Sequence, residues 1–122
     1  MTTAGQDRLF VPLTAEAFGW WLAGGKCWEV RREAPRWSAK HVRVGRRVEL
    51  RRGYSGPSLW GTIIGIVRAD DVVGLYACGV DLREIAPDPV SWHGVGEAIG
   101  GDGILVAFRV QLDPGQGVGV QP

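Results

Sequence analysis

Lys26, Glu29 and Arg31 fall within six residues of one another, in the stretch W-W-L-A-G-G-K-C-W-E-V-R-R from Trp20 to Arg32. Period-two alternation puts Glu29 and Arg31 on one face of a strand. Lys26 stands at the corner just before that strand, where it can point at the same place. Cations gathered away from water need a counter-charge, and Glu29 can supply it. Lys26 or Arg31 then remains for an anionic ligand. The carboxylate can accept from an exocyclic amine such as that of cytosine, or serve as a general base on water. The plainer alternative is a structural ion-pair network, since such networks also perturb charged groups.

The residues that follow extend this chemistry. Arg31, Arg32, Arg36, Lys40 and Arg43 are placed to meet phosphates. Net charge is only +1, but residues 26–68 hold eleven of the 14 basic side chains and three of the 13 acidic ones. That segment carries +8 and the rest −7. Such asymmetry inside one domain implies a basic face and an anionic partner, of which nucleic acid is the commonest. Ion pairing between the two halves is the competing explanation, although surface pairs contribute little. Aromatic faces can hold unpaired bases. Trp20, Trp37 and Trp60 border glycines, a basic run or a turn and are the better platforms, whereas Trp21 and Trp28 read as core. Tyr54-Ser55, in a glycine-bounded loop, can touch phosphate. His41 and His93 lack the spacing of a zinc site. Phosphate-loop, dinucleotide and Ser/His/Asp signatures are missing. No metal or cofactor is expected.

These residues need elements to hold them. Thr14 is a good N-cap and Glu16 suits the first turn of a helix over 13–25, with Phe18, Trp21 and Leu22 on its buried face and Gly24-Gly25 as its stop. A strand is expected over 27–33, then a loop over 34–44. A second strand runs over 46–52, with Val48 and Leu50 inward and Arg47, Glu49 and Arg51 outward. Residues 59–68 are nearly continuously apolar and read as a strand covered on both faces. Val72 to Tyr76 reads as a short strand, and Asp81 to Ala86 as a short helix with capping-box spacing. Asp88-Pro89 looks like the start of another helix reaching about Ile99. Residues 103–112 alternate cleanly, with Ile104, Val106, Phe108, Val110 and Leu112 on one face.

The 122 residues fit one domain, 9–113, with flexible tails at 1–8 and 114–122. The 19 glycines and seven prolines favour short strands and turns. No apolar run approaches the roughly 20 residues of a membrane span, and the N-terminus lacks a signal-peptide core. A soluble, cytoplasmic protein is expected. Two cysteines, Cys27 and Cys78, do not make a disulfide framework, though one bridge between them stays open.

The pattern G-x-K-x-x-E-x-R, from Gly24 to Arg31, resembles the signature of the ASCH domain, within the PUA-like superfamily. Val44-Gly45-Arg46-Arg47-Val48-Glu49-Leu50 resembles a following strand of that family, with Arg46 where an acidic residue is common. Gly61 to Val67 resembles the next strand. The likeness covers residues 10–68 well, 103–112 loosely and 70–102 only in general character. It implies an α+β fold: a small β-barrel of about five to six strands with one packed N-terminal helix and short extra helical segments. It also implies a cleft beside the first helix and a link to RNA or modified nucleotides. Some members hydrolyse the acetyl amide of N4-acetylcytidine with a Lys, a Thr and a distant Glu; others are reported as ribonucleases. The Lys corresponds to Lys26, the Thr position holds Glu29, and Glu84 or Glu97 are the choices for the distant carboxylate.

Three functions follow as expectations. The first is a module binding RNA or a modified nucleotide, DNA being the less favoured ligand, through Lys26, Glu29, Arg31, Arg32, Arg36, Trp37, Lys40, Arg43, Tyr54 and Ser55. The second is a small hydrolase on a modified nucleoside or RNA, with Lys26 and Glu29 catalytic. The third is a barrel whose basic face meets an acidic protein.

Overall fold

The computed structural model describes residues 7–99 and 103–116. Its elements, in chain order, are β1 (Leu9–Leu13), α1 (Ala15–Leu22), β2 (Trp28–Arg32), a 3-10 turn (Pro35–Trp37), β3 (Arg47–Arg52), β4 (Ser58–Ala69), α2 (Val72–Ala77), a second 3-10 turn (Leu82–Glu84), α3 (Pro89–Ile99) and β5 (Leu105–Leu112). The strands form one sheet in the order β1-β3-β4-β5-β2. β1 runs parallel to β3, and every other pairing is antiparallel. The result is a half-barrel: a mixed five-stranded sheet with helices on both faces.

The sheet's path explains where its opening lies. The chain leaves one edge strand, β1, and passes through α1 to the opposite edge, β2. The stretch containing the first 3-10 turn then brings it back to β3, beside β1. Both crossings span the gap between the edges. α1 starts where Thr14 Oγ1 accepts from the Ala17 amide at 3.1 Å, which satisfies one of the orphan N–H groups of a helix start. Phe18 and Trp21 are buried by α1 in a core with Val11, Val48, Leu50, Ile63 and Phe108. On the other face, Trp28, Val30, Leu105 and Ala107 pack with Leu75, Val80 and Ile85 of the α2–α3 layer. At Gly61, in the middle of the sheet, an added Cβ would lie 2.6 Å from the Gln111 carbonyl oxygen, so only glycine permits this approach of β4 to β5.

Several expectations change. β1, which had no place in the sequence reading, buries Leu9, Val11 and Leu13 in strict alternation. It is an edge strand, where Pro12 is tolerated because its missing N–H serves no ladder. Residues 72–76 are helical and not a strand. Asp71 Oδ1 caps the Gly74 amide at 2.7 Å, and Leu75 is driven into the core, which overrides the β-preference of Val72 and Val73. Helix α1 is shorter than expected, and Leu22 is 37% exposed. β4 is covered fully on one face only; a register shift between Ile63 and Gly65 leaves Ile64 exposed. Glu49 does not face water but is 2% exposed. Of the two expected tails, residues 1–6 and 117–122 lie outside the described residues. Arg8 is held by Glu49, and Gln116 Oε1 accepts from the Trp60 amide at 2.9 Å. Among the described residues, no helix is long and apolar enough to cross a membrane.

Candidate functional site

The gap between β1 and β2 forms a cleft of about 700 Å³, in the range of small-molecule sites. Pro12, Leu13 and Thr14 line it from the β1 side, and Glu29, Val30, Arg31 and Arg32 from β2. Glu16, Ala17 and Trp20 of α1, Ala34 and Trp37 of the return stretch, and Ser91, Gly94 and Val95 of α3 complete it.

Arginines reach across the open seam. Arg31 Nη2 donates to the Pro12 carbonyl at 2.7 Å, and Arg36 Nη2 to the Phe10 carbonyl at 3.0 Å. Side chains thus take up carbonyls of an edge strand that has only β3 as a strand neighbour. Arg31 is also fixed by Glu29, with Nη2 2.7 Å from Oε2, and it lies 4.7 Å over the Trp37 ring. Glu29 is the one charged residue of the cleft lining that is buried, at 6% exposure. Its Oε2 is taken by Arg31, but its Oε1 is buried with no hydrogen-bond partner; Lys26 Nζ lies 3.6 Å away. Oε1 is thus held by the charge of Lys26 and not by a hydrogen bond.

Lys26 is not among the residues lining the cleft. Its Nζ donates to the carbonyls of Trp28 at 2.8 Å and Ile85 at 2.7 Å. It borders a smaller cavity of about 330 Å³ together with Trp21, Cys27 and Arg109. Burial pushes its pKa below the ordinary lysine value, and Glu29 opposes that shift. The Lys26–Glu29–Arg31 cluster therefore comes together as the sequence spacing implied, with the lysine behind the wall and the carboxylate in it.

The remaining sequence candidates are spread more widely. Arg32 and Trp37 line the cleft, and Arg32 donates to the Gly103 carbonyl. Arg36 lies over both Trp37 and Phe10. Lys40 and Arg43 are exposed in the return stretch, where Arg43 donates to the Lys40 carbonyl. Tyr54 is 71% exposed and packs its ring 6.0 Å from Phe10; Ser55 is exposed beside it. Trp20 lines the cleft, but Trp60 lies outside its lining. Glu84 is paired with Arg109 at 3.0 Å, away from the cleft lining, and the Glu97 and His93 side chains lie outside those described. Cys27 and Cys78 are free thiols; burial pushes the Cys27 thiol up, and nearby Glu84 adds to the shift. Among the described residues, no cluster of His, Cys, Asp or Glu is suited to a metal ion. Sequence reasoning missed Phe10, Arg8 and Arg51, and the α3 residues Ser91 and Val95. Only the apolar run Leu9–Leu13 could have signalled the first of these.

The charge segregation survives folding. Among the described residues, only Arg8–Glu49 and Arg47–Asp113 pair the basic segment 26–68 with the rest of the chain. Glu49 is gripped by Arg51 Nη2 at 2.6 Å, Ser58 Oγ at 2.6 Å and Arg8 Nε at 3.0 Å. Burial alone would raise its pKa, but the hydrogen bonds from Ser58, Arg8 and Arg51 outweigh burial and hold it below the ordinary value near 4.5. A carboxylate depressed in the folded state contributes stability above its unfolded pKa and loses it as pH falls through the folded one. Tm should therefore drop as pH falls below about 4.5, and Glu49→Gln should flatten that part of the profile. A variant profile parallel to wild type would remove Glu49 from the acid transition.

No protein-family model matches the sequence, and no curated protein matches it. Solved structures do match. A mixed half-barrel with a seam cleft, packed on by helices, is an α+β fold. It is the ASCH fold: the crystal structure of ASCH from Zymomonas mobilis gives a TM-score of 0.62 at 19% identity, over 86% of this chain and 67% of that one. Two point variants of that protein give 0.63 and 0.59, at 19% and 21% identity, each over 86% of this chain and 69% of theirs.

Proposed function

We propose that this ASCH-fold chain binds RNA or a modified nucleotide, with one base entering the cleft between α1 and β2. The observation that carries the reading is the cleft lining, where Glu29, its one buried charged residue, is joined by Arg31, Arg32, Trp20 and Trp37. An exocyclic amine is a donor that a carboxylate on such a lining suits. Trp20 and Trp37 supply aromatic surface on the lining, and Arg31 and Arg32 place positive charge at the β2 side. The two free thiols suit a reducing compartment such as the cytoplasm.

The test is titration with nucleoside monophosphates, followed by tryptophan fluorescence, together with fluorescence anisotropy of a labelled short single-stranded RNA. Binding should quench tryptophan emission and weaken with salt. For about three neutralised phosphates, RNA affinity should fall roughly 20-fold between about 50 and 200 mM salt. No binding at low salt would sink the reading and favour an acidic protein partner. Mass spectrometry of the incubated ligand separates binding from hydrolysis, in which Glu29 would act as general base; a cleaved or deacylated product would move the weight to an enzyme.

A further inference from the structure

Outside the cleft, guanidinium groups and aromatic rings alternate across the surface. Trp37 lies under Arg31 at 4.7 Å and under Arg36 at 5.0 Å. Arg36 also sits 6.0 Å from the Phe10 ring centre. Arg51 and Arg8 approach that same ring at 5.3 and 5.9 Å. Phe10 in turn meets Tyr54 at 6.0 Å, and Tyr54 is 71% exposed. Because Trp37 belongs to the cleft lining, the series begins at the cleft and runs outward without a break.

Its charge is not balanced. Arg8 and Arg51 share the single buried carboxylate of Glu49. Arg36 is exposed, donates to a backbone carbonyl and forms no ion pair with a carboxylate among the described residues. Three guanidiniums around one phenyl ring, with one carboxylate among them, repel one another unless an anion joins them. Flat rings alternating with cations suit a chain that itself alternates flat bases with anions. An acidic peptide offers the charge without the flat faces, and a duplex keeps its base faces stacked inside.

We infer that this Trp37–Arg36–Phe10–Tyr54 series is a path for single-stranded nucleic acid continuing outward from the nucleotide in the cleft. The inference rests on the cleft reading above and adds to it the surface along which a strand runs. The strand's phosphates meet Arg36, Arg51 and Arg8, and a neighbouring base stacks on Tyr54.

The experiment compares one nucleoside monophosphate with a short single-stranded oligonucleotide of the same base, on wild type and on Arg36→Ala/Tyr54→Ala. Both replaced side chains are exposed and lie outside the cleft lining, and circular dichroism checks the fold. Wild type should bind the oligonucleotide more tightly than the monophosphate. The double variant should lose about tenfold or more in oligonucleotide affinity while keeping its monophosphate affinity. Equal wild-type affinity for the two ligands overturns the path, as does a double variant that binds the oligonucleotide like wild type. Competition by polyglutamate as effective as competition by the oligonucleotide overturns it as well. The cleft reading fails on a different observable, monophosphate that does not bind wild type.

Discussion

Replacing Lys26 by methionine should lower the unfolding free energy by about 3–5 kcal/mol, a large part of the roughly 5–15 kcal/mol typical of a domain. Lys26 is 5% exposed and carries two short hydrogen bonds, to the carbonyls of Trp28 and Ile85. The second of these ties the start of β2 to the segment just after the second 3-10 turn, and so to the α2–α3 layer. Methionine keeps the apolar stem but leaves both carbonyls without this donor. It also leaves the Glu29 charge with Arg31 as its only cationic partner among the described residues. Breaking one side of a buried pair strands the other charge, which is why the expected loss exceeds that of a surface pair. Urea unfolding monitored by tryptophan fluorescence measures it. A loss under about 1 kcal/mol, within the range of surface pairs, together with abolished nucleotide binding, would instead make Lys26 a ligand contact.

Glu29→Gln should change which bases bind, and it should also lower stability, because the buried Lys26 loses its carboxylate. Glutamine keeps the shape, and one acceptor for Arg31, which also retains the Pro12 carbonyl. Lys26 keeps its two carbonyls. What is lost is the carboxylate charge that Lys26 and Arg31 share. For cytidine or adenosine monophosphate, whose bases carry an exocyclic amine, affinity should fall roughly 5- to 150-fold, the weight of one good base-edge contact. Uridine monophosphate, with a carbonyl in place of the amine, should change least. A variant that binds all three nucleotides as wild type does would place the base elsewhere. If hydrolysis is also found, its loss in this variant with the fold intact by circular dichroism would assign Glu29 the role of base.

Much of the scaffold was legible in the residues themselves because its signals are local. Thr14 caps α1, Asp81 accepts from the Arg83 amide and Asp88 from the Ser91 amide, each from its own turn. Gly24 adopts the left-handed conformation, φ 92°, that ends the helix region. The alternation of residues 103–112 becomes β5, with Val106, Phe108 and Val110 in the core. Period two on β2 places Glu29 and Arg31 side by side, and they do pair.

What only the tertiary structure decided is what closes over each element. Residues 9–13 form a strand because β3 lies alongside them, in a pairing that no local signal announces. Glu49 sits on the expected polar face of β3 and is nevertheless buried, because Arg8, from 41 residues earlier, folds over it. Lys26 turns toward the carbonyl of Ile85, 59 residues on, and away from the cleft. Phe10, an unremarked position in the sequence, gathers arginines from three separate segments. Periodicity and capping depend on neighbours within a few residues and so can be read along the chain. The partner of a charge is set by which segments the sheet order brings together, and that order follows from the two crossings of the seam between β1 and β2.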